Sequence, residues 1–223
     1  LVNSSFFGLP RRLTSIREAI SYLGLNLLRN LVFSLAVFRA FEGAGRMPGF
    51  SHERMQNHAL AVAHVAKRIC PAREHTDDAF IAALLADVGQ LVLASQLPGL
   101  FGEIIQHARV EGLSLHGAEY QRLGVSHSEI GAYLLGLWHL PYAVVEGVAH
   151  HHDATRIGRH RFNAADAAYI GHVLVQTAEI GPKDPFDVDK PILDAGYLES
   201  LGVQEQLAGW RGLTDEVIAG AAA

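Results

Sequence analysis

Apolar residues return along this chain at intervals of three and four, and no stretch shows the period of two that marks a half-buried strand. Ser15 and Glu18 form a Ser-x-x-Glu capping box for a first helix over about Ile16 to Leu23, which Gly24 stops. Leu25 to Phe41 is apolar on nearly every side (Leu27, Leu28, Leu31, Val32, Leu35, Phe38), as in a helix packed on several neighbours, and Gly43-Ala44-Gly45 ends it. Between about Ser51 and Ile69 an inward face is drawn by Val62, Val65, Ala66 and Ile69. His58 falls on that face, and His64 falls on another and is expected in solvent. On the next helix, capped by Asp77 or Asp78 and closed by Pro98-Gly99, Phe80, Leu84, Val88 and Leu91 share one line, with Asp87 on the same stripe. Further helices are predicted at about Pro98 to Glu111, Leu115 to Leu123, Ser126 to Trp138, Tyr142 to His152 and Asn163 to Ile180, with two more beyond Pro191. The pattern predicts an all-α, multi-helix bundle over residues 1–180. The polar, proline-bearing stretch Gly181 to Lys190 then leads into a C-terminal helical extension, residues 181–223.

Composition narrows the class. With 49% hydrophobic and 18% charged residues the chain is expected to fold nearly throughout. A net charge of -5, a pI near 6.2 and scattered Lys and Arg argue against a nucleic-acid footprint. Cys70 is the single cysteine, which fits a reducing cytoplasm. The apolar stretch Leu31 to Phe38 falls far short of the roughly 20 residues that span a bilayer, so no membrane partner is expected. The chain begins at Leu1 with no basic n-region, and is read as a piece of something longer.

The candidate chemistry lies in which of the 13 histidines face inward. His58 is followed on its face by Val62, Val65 and Ile69. His127, in the first turn of a helix capped by Ser126 and Glu129, stands over Ile130, Leu134 and Trp138. In His150-His151-His152-Asp153 the stripe of Val144, Val145 and Val148 takes in His151 and His152, whereas His150 stacks over Glu146 and is placed outside. Asp87 is the most informative of these residues, because a carboxylate on an apolar stripe costs several kcal/mol unless it is paired or bound to a metal. Asp166, one turn before Ile170, either looks inward or serves as a cap with Asn163. Such an N/O donor set suits zinc, iron, manganese or nickel. A buried hydrogen-bond network without a metal is the plainer alternative.

The order of motifs has a resemblance. Asn57-His58-Ala59, Leu85-Ala86-Asp87-Val88-Gly89-Gln90, His127-Ser128-Glu129-Ile130-Gly131 and His151-His152-Asp153 follow one another as in the HD superfamily, whose cyclic-di-GMP-hydrolysing HD-GYP branch carries His-Asp at the second motif. Asn3-Ser4, Ser15-Ile16-Arg17-Glu18-Ala19-Ile20-Ser21-Tyr22-Leu23-Gly24 and Trp138-His139-Leu140-Pro141 resemble the HDOD branch more closely. The resemblance covers about Val2 to Ile180, and it implies that a leading helical portion of the family domain is expected before the Asn-Ser pair.

This resemblance implies an HD-like bundle and metal-ligand roles for His58, Asp87, His127, His151 and His152, with Asp166 as a further candidate. It also implies departures: Ala86 replaces the histidine of the His-Asp pair, Gln90 replaces a lysine, and Gly-Tyr-Pro is absent after Asp153. The implied protein is a bacterial signal-transduction output module with a degenerate site holding at most one divalent metal (Fe, Zn, Mn or Ni) and no catalytic residue. It would act on a protein partner or with an upstream sensor or receiver domain. The alternative is a metal-dependent phosphohydrolase acting on a phosphodiester or cyclic dinucleotide.

Overall fold

Serine side chains start several of the helices, at Ser15 and Ser126 as the capping signals predict and at Ser51 besides. Ser15 Oγ accepts from Glu18 N at 3.1 Å and opens α1 (Ile16–Leu23), and Ser51 Oγ accepts from Arg54 N at 3.2 Å and opens α3 (His52–Ile69). Ser126 and Glu129 close a reciprocal box at the start of α8 (His127–Leu137). The structure is a computed structural model that describes residues 15–42, 47, 49–158, 161–178 and 191–221. The remaining helices are α2 (Leu25–Glu42), α4 (Thr76–Leu84), α5 (Val88–Gln96), α6 (Pro98–Glu111), α7 (Leu115–Leu123), α9 (Tyr142–His150), α10 (Ala164–Ala178), α11 (Ala195–Ser200) and α12 (Leu207–Ala221). No strand occurs among the described residues, and the fold is all-α as expected. The predicted Gly43-Ala44-Gly45 stop and the Gly181 to Lys190 loop lie outside the described residues.

Two local expectations are corrected. The helix read from Asp77 through Leu91 is two helices, with a turn over residues 85–87 between α4 and α5. Neither Asp77 nor Asp78 caps it. Both sit in the first turn of α4, where they favour the helix dipole, and Asp77 pairs with Lys67 at 3.0 Å. His64 is buried, not solvated, and its ring meets Phe80 edge-on at 5.2 Å. Burial, then Lys67 and Arg68, lower its pKa to about 4, so it is a neutral core residue. The span Arg73–Gln96 is apolar and long enough to cross a membrane, but 72% of its most apolar window is buried inside the protein.

Helix α10 is the centre of the bundle. Ala164 to Val175 are buried on every side, and α10 packs on α3, α4, α9 and α12. The approach to α3 depends on Gly171, where a Cβ would come within 3.2 Å of Ala66 N and 3.3 Å of Val62 O. Tyr197, Leu198, Val203 and Trp210 of the C-terminal helices join this main core, and Trp210 lies 5.9 Å from Phe162. A second cluster around Phe101, Ile104, Ile105 and Leu115 holds α6 and α7 to α5.

Candidate metal centre

Asp87 occupies the N-cap position of α5, yet its side chain makes no capping hydrogen bond. The carboxylate is thereby left to face the interior, where it is 11% exposed. Gln90 Nε2 donates to its Oδ1 at 2.8 Å. Gly89 brings this turn against the first turn of α8: a Cβ there would stand 2.0 Å from His127 O. Only a residue without a side chain permits that approach, and it carries Asp87 to the imidazole of His127, whose Nε2 lies 3.5 Å from Asp87 Oδ1.

The histidines are oriented by groups behind them. Glu119, fully buried on α7, accepts through Oε2 from both the backbone N and the ring Nδ1 of His127, each at 2.7 Å. With Nδ1 as donor to Glu119, His127 turns its Nε2 toward Asp87. His151 Nδ1 in turn donates to Val148 O at 2.7 Å, so its Nε2, also 3.5 Å from Asp87 Oδ1, faces the carboxylate. His152 Nε2 stands 2.8 Å from His127 Nε2, and its ring stacks on His116 at 4.7 Å.

Asp87, His127, His151 and His152 each offer one ligand atom within 4.8 Å of the others. His58, Asp87 and His172 meet the same condition, and Asp87 belongs to both sets. Burial disfavours the charge of Asp87, but the hydrogen-bonding and field of His151, His172 and His127 outweigh it and hold its carboxyl well below the usual range. Burial, reinforced by His151 and His127, pushes the His152 imidazole well below its ordinary value, and burial likewise pushes His172 down. One carboxylate and several imidazoles whose donor atoms converge in this way are an N/O set that suits a divalent transition cation. The residues therefore fit a transition metal.

Of the residues the sequence put forward, His58, Asp87, His127, His151 and His152 converge. The structure does not bring Asp166 among them: its Oδ2 accepts from Asn163 N at 2.7 Å and its Oδ1 from the Tyr197 hydroxyl, so its oxygens cap α10 and anchor α11. His150 lies outside both sets, as read. Sequence reasoning missed His172 and Glu119. His172 was legible as a lone polar residue in the apolar run Ala167 to Val175, and Glu119 as a carboxylate beside Ala118 in a helix of mixed character.

The model of the HDOD domain matches residues 1–154, and the chain belongs to that family. An uncharacterized protein of Treponema pallidum (strain Nichols) is 31% identical over 159 residues, 69% of this chain, and this chain spans 30% of that protein's length. Among solved structures, an HDOD domain protein of unknown function from Geobacter sulfurreducens superposes with a TM-score of 0.71 at 24% identity, over 97% of this chain and 79% of its own. A candidate signal-transduction protein from Marinobacter aquaeolei VT8 gives 0.68 at 22%, over 99% and 50%. A candidate phosphohydrolase from Shewanella amazonensis SB2B gives 0.64 at 20%, over 94% and 78%. At these identities the three structures share the fold.

Proposed function

We propose that this chain is an output module of bacterial cytoplasmic signal transduction that holds a divalent transition metal (iron, zinc, manganese or nickel) at Asp87, His127, His151 and His152. It passes its signal through contacts with a protein partner or an upstream sensor or receiver domain, not by hydrolysis. The observation that carries this reading is the pairing of a well-supported ligand cluster with Ala86. That methyl group, 2% exposed in the turn beside Asp87, stands where the HD pair has an imidazole and has no lone pair to give. Gln90 adds to this, since its amide engages Asp87 Oδ1 and supplies no cation for phosphate. The family membership and the naming of the Marinobacter relative support a signalling role.

A bound metal would act as a Lewis acid and lower the pKa of a coordinated water. The protein's own part is to fix the ligands: Glu119 and Val148 O set the tautomers of His127 and His151, and Gly89 sets their distance from Asp87. Convergence of the donors also favours a second reading, a phosphohydrolase acting on a phosphodiester or cyclic dinucleotide. Elemental analysis of the purified protein, with turnover of bis(p-nitrophenyl) phosphate and cyclic di-GMP at metal saturation, separates the two. Bound metal without turnover is expected. Hydrolysis at even about 1 per second, the lower end of ordinary enzyme rates, refutes the non-hydrolytic reading.

A further inference from the structure

Helix α12 lies against α10, and the two do not close on each other along their whole length. A cavity of about 490 Å³ opens between the C-terminal half of α10, the segment leading into α11, and α12. Its walls are apolar, with Val173 and Leu174 of α10, Leu193 and Leu198 at α11, and Leu207 of α12. Its rim is polar and exposed, and carries Thr177, Arg211 and Asp215. None of these residues belongs to the metal centre, and all lie beyond the stretch matched by the HDOD model. A mostly apolar concavity of roughly 300–1,000 Å³ with a few convergent polar groups is the ordinary form of a small-molecule site.

The polar groups define what the cavity takes. Thr177 Oγ1 donates to Val173 O at 2.8 Å and to Leu174 O at 3.0 Å, and Thr214 Oγ1, which also lines the cavity, donates to Trp210 O at 2.8 Å. With their protons held by their own helices, both hydroxyls meet a ligand as acceptors. Arg211 and Asp215 stand four residues apart on α12, the spacing that sets two side chains next to each other. Yet they make no ion pair with each other or with any other charged group among the described residues. The rim therefore holds a guanidinium suited to a carboxylate beside a carboxylate suited to an ammonium, above walls that accept only an apolar body. A simple anion meets Asp215 and a simple cation meets Arg211. A molecule with both charges at one end satisfies the pair.

We propose that this cavity binds a free α-amino acid with an apolar side chain, its carboxylate on Arg211, its ammonium on Asp215, and its side chain among Val173, Leu174, Leu198 and Leu207. The binding does not rest on the reading above and needs no metal. At about 100° per residue, Val173, Leu174 and Thr177 lie on the side of α10 away from His172. A ligand seated there leans on the helix that fills the middle of the bundle, which gives an output module an input of its own.

The test is isothermal titration calorimetry of the full chain with L-phenylalanine and L-leucine. Binding of at least one with a Kd below about 1 mM is expected, and none of L-serine, which has no apolar body, up to about 10 mM. The Nα-acetylated form of the bound amino acid lacks the ammonium and its amide lacks the carboxylate, so each should bind at least about 10-fold more weakly, the scale of one charge-assisted hydrogen bond. Asp215→Asn should weaken the amino acid by a similar factor without further weakening the acetylated form, and Arg211→Ala should pair with the amide in the same way. Thr177→Trp, which places an indole at the rim, should abolish binding. All three substituted positions are exposed, and unchanged helicity by circular dichroism confirms each fold. No binding of either amino acid up to about 10 mM, or binding kept by Thr177→Trp, overturns the site. Decanoate or octylamine binding more tightly than the amino acids overturns the assignment of a ligand with both charges. Losses that simply add between Asp215→Asn and the acetylated form, or between Arg211→Ala and the amide, overturn the assigned contacts.

Discussion

Gly89→Ala is the smallest change that tests how the centre is assembled. The added Cβ would stand 2.0 Å from His127 O, 2.7 Å from its carbonyl carbon and 2.9 Å from its Cα, all backbone atoms that no rotamer change can move. Ordinary van der Waals contact begins at 3.4 Å, so the α5 and α8 termini must separate by about 1.4 Å. Overpacking of this kind costs about 1–3 kcal/mol, and the upper end applies because the neighbour is backbone. For a chain of this size about 3 kcal/mol corresponds to a fall in Tm of roughly 6–12 °C. The same separation draws Asp87 away from His127, so metal affinity should fall with stability. Gly136→Ala on α8 is the control: nothing lies within 4 Å of its Cβ, and helix propensity alone should leave it neutral or up to about 1 kcal/mol more stable. Thermal melts of the apo proteins, followed by zinc titration, decide the matter. If Gly89→Ala melts within about 2 °C of wild type and binds zinc equally well, the close approach is not what positions Asp87.

Three further outcomes are expected. Ala86→His should raise metal uptake, measured by elemental analysis, without restoring phosphodiester turnover while Gln90 remains. Glu119→Gln should lower affinity for zinc by about 10- to 100-fold, because His127 loses its carboxyl partner at Nδ1; unchanged affinity in zinc titrations would remove Glu119 from the centre. The apo protein should lose stability as pH falls from 7.5 to 5. With its folded pKa depressed to about 4, His64 remains neutral while the unfolded chain takes up a proton below about 6.5, so the unfolded state binds more protons throughout that window. His64 alone accounts for about 2 kcal/mol at pH 5, and His64→Leu should flatten that part of the melting profile.

Helical periodicity carried most of the fold, because caps such as Ser126 with Glu129 and stripes such as Val62, Val65 and Ile69 are local signals that tertiary packing only reinforces. The break at residues 85–87 was not legible, since no glycine or proline interrupts Leu84 to Val88 and the turn is imposed by what packs around it. His64 misled for a related reason: a helix face polar by pattern was covered by Phe80 of a neighbouring helix. Within the site, offsets from apolar stripes found the histidines that face inward from their own helices. Asp166 and His172 share α10, whose burial on every side leaves no polar face to tell a cap from a ligand. Periodicity fails there because everything points inward.

Helix α10 also bears on how this module can be cut or joined to others. The stretch that carries the family's sequence signature runs to residue 154, ten residues short of the helix that fills the middle of the bundle. A fragment trimmed at that boundary would uncover the inner faces of α3, α4 and α9 together and leave His58 without its neighbour, while the α10 left behind would have no core to enter. Recombination between relatives therefore has to carry the chain at least through Ala178, and, because Tyr197 reaches back to Asp166 at the head of that helix, the first C-terminal helix with it.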